Sequence, residues 1–332
     1  MLFTLLHSVD RSEWSLAVIE KPSDNSPTDP PRRLLVTGAS GFVGQHLRPF
    51  LEASGAAVLT LTRDKVGGEA IPLTSDSSPE EWSSALAGVD SVVHLAAIAH
   101  QSNRPSRQNL RVVNVDWPVR LFEGAVRAGV RNFVFLSSIK VFGDRSLRPL
   151  RAQDPYGADD VYGQSKVEAE LALQKSARQH QDIRLAILRP PLVYGPGVKA
   201  NFRTLLGWAA RGARGWPLPF GAADAPRSLI SVQNLVEAIV ASVGQAGVFH
   251  CADAEDLSVV EVFHKLGVPR SRLIPVPASI MRIGFGAINR GGYYHRLYAP
   301  LKLETVDSAV PGWKPRFSSD ECLQQAMEAC QQ

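Results

Sequence analysis

The chain has 332 residues, 45% of them hydrophobic and 20% charged, enough to bury a large core in one big domain with a smaller lobe. Its net charge of +4 is small and argues against nucleic-acid binding, and no apolar run reaches the roughly 20 residues of a membrane span. Three cysteines (Cys251, Cys322 and Cys330) are an odd number without metal-type spacing, which fits a reducing compartment and excludes a disulfide framework.

Met1 to Leu6 are apolar, but His7, Asp10 and Arg11 follow at once, so the pattern is not that of a signal peptide. A cytoplasmic protein is expected. Residues 21–31 are rich in Pro, Ser and Asp and predict a flexible linker, which makes 1–31 an extension. A strand over 34–37 then runs into Gly38, and a helix follows over 42–54. Further apolar strands are predicted at 58–61, 91–96 and 133–136, with a long helix over 107–128 between the last two. Near-continuous apolar strands belong in a parallel sheet covered on both faces, and alternation with helices makes βαβ units. The expected fold is α/β, a doubly wound parallel Rossmann-type sheet over 32–189. From 190 onward Pro190-Pro191, Gly195-Pro196-Gly197 and Pro217-Leu218-Pro219 punctuate shorter elements, with helices near 233–243 and 318–330. Residues 190–332 are expected to form mainly a smaller substrate-binding lobe over the carboxyl ends of the strands.

The segment Gly38-Ala39-Ser40-Gly41-Phe42-Val43-Gly44 sits where the first strand turns into the first helix. Gly38 gives the turn backbone freedom, Gly41 lets a pyrophosphate approach, and Gly44 allows the helix to pack closely on the sheet. The helix N-terminus adds free N–H groups and positive dipole. A dinucleotide is therefore the expected ligand, bound by Gly38, Ser40, Gly41, Phe42, Val43 and Gly44. The second strand ends in Thr62-Arg63 rather than in a carboxylate that would accept the ribose hydroxyls. Arg63 suits a 2′-phosphate and favours NADP(H). Asp64 offers Arg63 another partner, which leaves NAD(H) open.

Tyr162 and Lys166 are four apart at the start of a helix predicted over 161–180, so they share one face. A phenol with an ordinary pKa near 10 needs its anion stabilised before it can act as a base, and an ammonium one turn away can do that. Lys166 can also hold the nicotinamide ribose. Ser137 and Ser138 follow the strand at 133–136, at the carboxyl end where catalytic groups of such sheets gather. Either hydroxyl could bond a substrate oxygen beside Tyr162.

These segments, with His94-Leu95-Ala96-Ala97, Asn114-Val115-Asp116, Leu188-Arg189-Pro190-Pro191-Leu192-Val193-Tyr194-Gly195-Pro196-Gly197 and Arg227-Ser228-Leu229-Ile230-Ser231-Val232, resemble the extended short-chain dehydrogenase/reductase superfamily. The likeness is to its NAD(P)-dependent nucleotide-sugar epimerase/dehydratase branch and runs from about Leu34 to Met327. It implies that the catalytic Ser/Thr position falls on Ser138, five before Gly143. It implies that Asn114 orders the active site, that Leu95, Ala96 and Ala97 back the cofactor, and that Asn201 and Arg227 grip the diphosphate of a nucleotide sugar. A homodimer built from the helices near 107–128 and 161–180 is implied as well.

The chain also departs from the hexose 4-epimerase pattern. Leu192 stands where those enzymes typically carry Asn, Pro190-Pro191 replace an aromatic pair, and Ala99 stands in place of a Lys. The combination looks more like a reductase of 4-keto nucleotide sugars, and the expected function is NADP(H)-dependent hydride transfer at hexose C4. Tyr162 would give the proton, Ser138 would polarise the oxygen, and Lys166 would tune Tyr162. The alternative is a 4-epimerase of a UDP-hexose or UDP-N-acetylhexosamine. A non-catalytic NADP(H) sensor is a third reading, disfavoured because Tyr162 and Lys166 are both present.

Overall fold

The computed structural model describes residues 32–61, 77–99, 106–287, 294 and 297–331. The extension over 1–31 and Arg63, expected to select the cofactor, lie outside them. The apolar run at the start of the domain forms β1 (Arg33–Thr37), in which Leu34, Leu35 and Val36 are buried. Helix α1 (Phe42–Ala53) follows, then β2 (Ala57–Leu61), which pairs parallel with β1. Helix α2 (Pro79–Ala85) is started by a capping box in which Ser78 and Glu81 satisfy each other's backbone N–H groups. Strand β3 (Ser91–His94) pairs with the other edge of β1.

The long helix expected over 107–128 is broken into α3 (Arg107–Arg111), a π-helical turn (Val112–Asp116) and α4 (Trp117–Arg127). Next come β4 (Asn132–Leu136), α5 (Val161–Ala177) and β5 (Arg184–Arg189). The chain then leaves the large sheet for β6 (Leu192–Tyr194), α6 (Ala200–Ala213) and β7 (Arg227–Ser231). It returns with α7 (Val232–Ser242) and β8 (Gly247–His250), and leaves again for β9 (Asp256–Leu257), α8 (Val259–Lys265), α9 (Ala278–Ala287) and α10 (Ser319–Gln331).

The large sheet has the order β2-β1-β3-β4-β5-β8 with every pairing parallel, the doubly wound Rossmann-type arrangement. A second sheet has the order β6-β7-β9. One face of the large sheet is covered by α2, α4 and α5 through Trp82, Phe122, Phe133 and Leu173; the other by α1 and α7 through Leu47, Leu235 and Ile239. Each such buried side chain contributes about 1.5–3 kcal/mol, so both helical layers stabilise the sheet. The lobe has its own core around Phe202, Phe220, Phe263 and Leu323.

Residues beyond 190 do not all stay in the lobe. β8 covers the edge of β5, and α7 packs beside α1, because an apolar parallel edge strand must be paired or covered. The strand order reverses at β1, with β2 on one side and β3 on the other. The crevice at that switch point, at the carboxyl ends of β1 and β3, is where open α/β sheets take ligands.

Candidate active site

The chain leaves β1 through Gly38, whose φ is +70°. A Cβ there would lie 2.8 Å from Ala96 N and 2.9 Å from Ala96 Cα, so only glycine lets the first turn press against the end of β3. Gly38 O accepts from Gly41 N–H at 2.9 Å, and Gly41 caps α1 without any side-chain hydrogen bond. Phe42, Val43 and Gly44 form the first helical turn, which carries no acidic residue. Its unpaired donors and helix dipole make a cradle for an anion. Ser40 lies on the exposed rim, its carbonyl accepting from Gln45 Nε2 at 3.1 Å.

The end of β3 is tied down from both sides. Thr37 Oγ1 bonds His94 Nδ1 at 2.9 Å and accepts from Ala96 N–H at 3.3 Å. His94 stacks on Phe135 and Phe133, and burial in that apolar stack pushes its pKa down to about 3, helped by the charge of Lys166. Leu95, Ala96 and Ala97 follow as a partly buried extended segment lining the crevice. Asn114, buried in the π turn, accepts from Ile98 N–H at 2.8 Å and donates to Ser165 Oγ at 3.0 Å. Ser165 Oγ in turn donates to Tyr162 O at 2.7 Å. One amide therefore links the loop after β3 to the helix bearing Tyr162 and Lys166.

Helix α5 begins at Asp160, whose carboxylate accepts from Gly163 N–H at 2.7 Å. A Cβ on Gly163 would stand 2.5 Å from Lys140 O, so this glycine lets the first turn of α5 reach the loop that carries Ser138. Ser138 caps a short 3-10 turn (Ile139–Phe142), its Oγ accepting from Lys140 N–H at 3.2 Å. The same hydroxyl lies close enough to the Tyr162 phenol to favour its anion. Burial and the nearby Asp160 charge push the Tyr162 phenol up to about 12, against which the Ser138 hydroxyl works. Lys166 is 2% exposed and burial brings it down to about 8, opposed by the carboxylate of Glu170. Its ammonium donates to Leu136 O at 2.8 Å and sits 4.5 Å from the centre of the Phe135 ring.

Residues 34–249 match the NAD dependent epimerase/dehydratase family. The chain belongs to that family. Over 317 residues it is 32% identical to a UDP-glucose 4-epimerase of Vibrio cholerae, covering 90% of this chain and 95% of that protein. It is 28% identical over 251 residues to the N-acetyl-alpha-D-glucosaminyl-diphospho-ditrans,octacis-undecaprenol 4-epimerase of Escherichia coli O157:H7, covering 73% of each. Its fold is like that of MoeE5, solved in complex with UDP-glucose and NAD, with a TM-score of 0.71 at 24% identity, covering 90% of this chain and 98% of that one.

The crevice of this epimerase/dehydratase family member fits a dinucleotide: its floor at Gly38 has no room for a Cβ, and the first turn of α1 offers uncapped donors where a pyrophosphate would lie. Arg227, at the start of β7, sends its guanidinium to Ala299 O at 2.5 Å and Asp144 O at 3.3 Å. It joins the loop beyond Ser138 to the segment around 299–303. Asn201 lies in the first turn of α6, and its side chain is outside the described residues.

The structure also separates the two serines. Ser137 is 4% exposed and its hydroxyl donates to the Glu170 carboxylate, so it is held in the core. Glu170 itself is fully buried and faces Arg189, whose Nε donates at 3.0 and 3.1 Å to its two oxygens. Arg189 Nη1 donates to Ala152 O at 2.7 Å, and the Tyr156 hydroxyl donates to Glu170 Oε2 at 2.9 Å. This network under Lys166 is not apparent from motif reading. The available signal was spacing: Glu170 extends the Tyr162, Lys166 column by one more step of four, an acidic residue on a face that must be buried.

Proposed function

We propose that the protein is a 4-epimerase of a nucleotide-diphosphate hexose, a UDP-hexose or UDP-N-acetylhexosamine. The observation that carries the reading is that α5 brings Tyr162 near Ser138 and buries Lys166 against the end of β4, in a chain that aligns almost end to end with a UDP-glucose 4-epimerase. Bound NAD would accept and return the hydride at C4. Tyr162 Oη would take the proton of the C4 hydroxyl and give it back after the keto sugar turns over in the site. Ser138 Oγ would donate to the same sugar oxygen while it is a carbonyl. With its pKa at about 12, Tyr162 holds its proton at neutral pH. Its work as a base therefore depends on positive charge arriving beside it, which the oxidised nicotinamide would supply. Arg227, together with Asn201, is suited to the diphosphate.

A second reading, reduction of a 4-keto nucleotide sugar with NADPH, is favoured by Leu192, which is 48% exposed on β6 where an epimerase typically carries Asn, and by Arg63. A protonated Tyr162 is also ready to give its proton to a carbonyl oxygen. In either reading a homodimer through α4 and α5 would cover Leu171, which is 52% exposed on α5.

Release and identification of the nucleotide that purifies with the protein tests the choice. Stoichiometric NAD that does not exchange, with conversion of UDP-glucose or UDP-N-acetylglucosamine to the C4 epimer, is the expected result. A site that exchanges freely and prefers NADPH, with no epimer formed, would overturn the epimerase reading in favour of the reductase.

A further inference from the structure

The net charge of +4 conceals an uneven distribution. Residues 183–223 contain six Lys and Arg and no Asp or Glu, and residues 262–303 contain seven and none. The two acid-free stretches meet in the lobe. Leu218 and Leu273 form a parallel bridge, Leu218 N–H donates to Arg272 O at 2.8 Å, and Ile274 N–H donates to Leu218 O at 2.8 Å. Trp216, 67% exposed, and Ile274, 48%, flank that seam, and Ile280 (57%) and Ile283 (71%) protrude from α9, which begins four residues after Ile274. Helix α9 divides its residues clearly, with Met281 packed on the lobe core and Ile280 and Ile283 three apart on the outward face.

Exposed arginines rim these side chains. Arg211 and Arg214 close α6 immediately before Trp216, Arg272 lies against Gly215, and Arg282 stands between the two isoleucines of α9. The ion pairs of the described residues include none of these four arginines.

We propose that this patch is a docking surface for an anionic bilayer. Single protruding apolar side chains, a tryptophan among them, with a basic rim are the composition of an interfacial contact, in which the side chains enter the headgroup–acyl boundary and the cations meet lipid phosphates. Around the seam Arg211, Arg214, Arg270, Arg272 and Arg282 outnumber the carboxylates of Asp224 and Glu261 beside Leu273, a balance that suits lipid phosphates. The contact is peripheral, since no helix among the described residues is long and apolar enough to cross a membrane. The inference does not depend on which sugar is turned over.

The test is flotation of the full chain with vesicles of phosphatidylglycerol and phosphatidylcholine, against vesicles of phosphatidylcholine alone, at low and high salt. Binding to the anionic vesicles only, weakened by salt, is the expected result. Arg211→Ser and Arg272→Ser should each weaken it by about fivefold. Ile280→Ser combined with Ile283→Ser should weaken it by about tenfold or more. Unchanged melting temperatures of these variants guard against unfolding. Absence of binding to anionic vesicles overturns the proposal, and so does binding that the isoleucine variant leaves intact. It is equally overturned if sedimentation shows the patch closed by a second copy, with Ile283→Ser releasing monomers and no vesicle binding in either form.

Discussion

Replacing Glu170 with Gln removes one charge from an ion pair whose side chains are 2% and 0% exposed. Arg189 would keep its bonds to Ala152 O at 2.7 Å and Tyr156 Oη at 3.2 Å, but its Nε and Nη2 would no longer face a carboxylate. An orphaned buried charge of this kind costs about 3–5 kcal/mol, a loss of roughly 5–15 °C in melting temperature for a protein of this size. A second effect reaches the helix that carries Tyr162 and Lys166. The Glu170 carboxylate supports the charged form of Lys166 against the burial that brings it down to about 8. A neutral amide withdraws that support, so Lys166 sheds its proton at lower pH. Because the ammonium is lost as pH rises, the alkaline limb of kcat should move toward neutral pH. Scanning calorimetry and a pH–rate profile read the two effects separately. The double variant Glu170→Gln/Arg189→Met removes the orphaned charge and should recover part of the lost melting temperature. A single variant that melts within about 2 °C of the parent, with the alkaline limb unmoved, would refute the reasoning.

The two serines should respond in opposite ways. Ser138→Ala is expected to lower kcat about 10²–10³-fold with little change in melting, as Tyr162→Phe should by about 10²–10⁴-fold, whereas Ser137→Ala should cost about 1.5–3 kcal/mol of stability through the lost bond to Glu170. Steady-state kinetics beside thermal melts distinguish the cases, and equal loss of activity in both serine variants would count against Ser138. Gly38→Ala forces a side chain onto the Ala96 backbone at a φ of +70°, so the purified variant should carry no NAD where the parent carries it stoichiometrically. His94 has a folded pKa of about 3 against an ordinary 6.5, so the unfolded chain takes up the proton first. Stability from this site is therefore lost as pH falls below 6.5, by about 2 kcal/mol at pH 5. His94→Phe should flatten the fall in urea midpoint between pH 7 and pH 5, and an unchanged slope would place the acid sensitivity elsewhere.

Much of the fold was legible because its signals are local. The apolar runs of β1, β3 and β4 read as buried parallel strands, the glycines after β1 marked the turn into α1, and the Tyr162–Lys166 spacing placed both on one face of α5. Where a signal depended on a distant partner, reading residue by residue left it open. Ser137 and Ser138 have the same chemistry and adjacent positions. Only the packing of α5 against β4 gives the Ser137 hydroxyl to Glu170 and leaves that of Ser138 near Tyr162. The π turn that presents Asn114 to Ser165 looks, in sequence, like the middle of an ordinary helix. Arg227, which the resemblance assigns to a diphosphate, also ties distant segments together, its Nη1 meeting the carbonyls of Ala299 and Asp144, 72 and 83 residues away.

The sequence by itself determined the first four strands of the large sheet, the glycine turn and the helix face shared by Tyr162 and Lys166, since each depends on residues within a few positions of one another. The tertiary structure alone decided how the chain beyond 190 divides between sheet and lobe, and what lies beneath Lys166. The division follows from the need of β5 for a partner on its open edge, which β8 supplies. The buried charge of Glu170 is tolerable only because Arg189, 19 residues on, is brought opposite it at the end of β5. Burial makes such pairings obligatory, and no local pattern encodes the meeting.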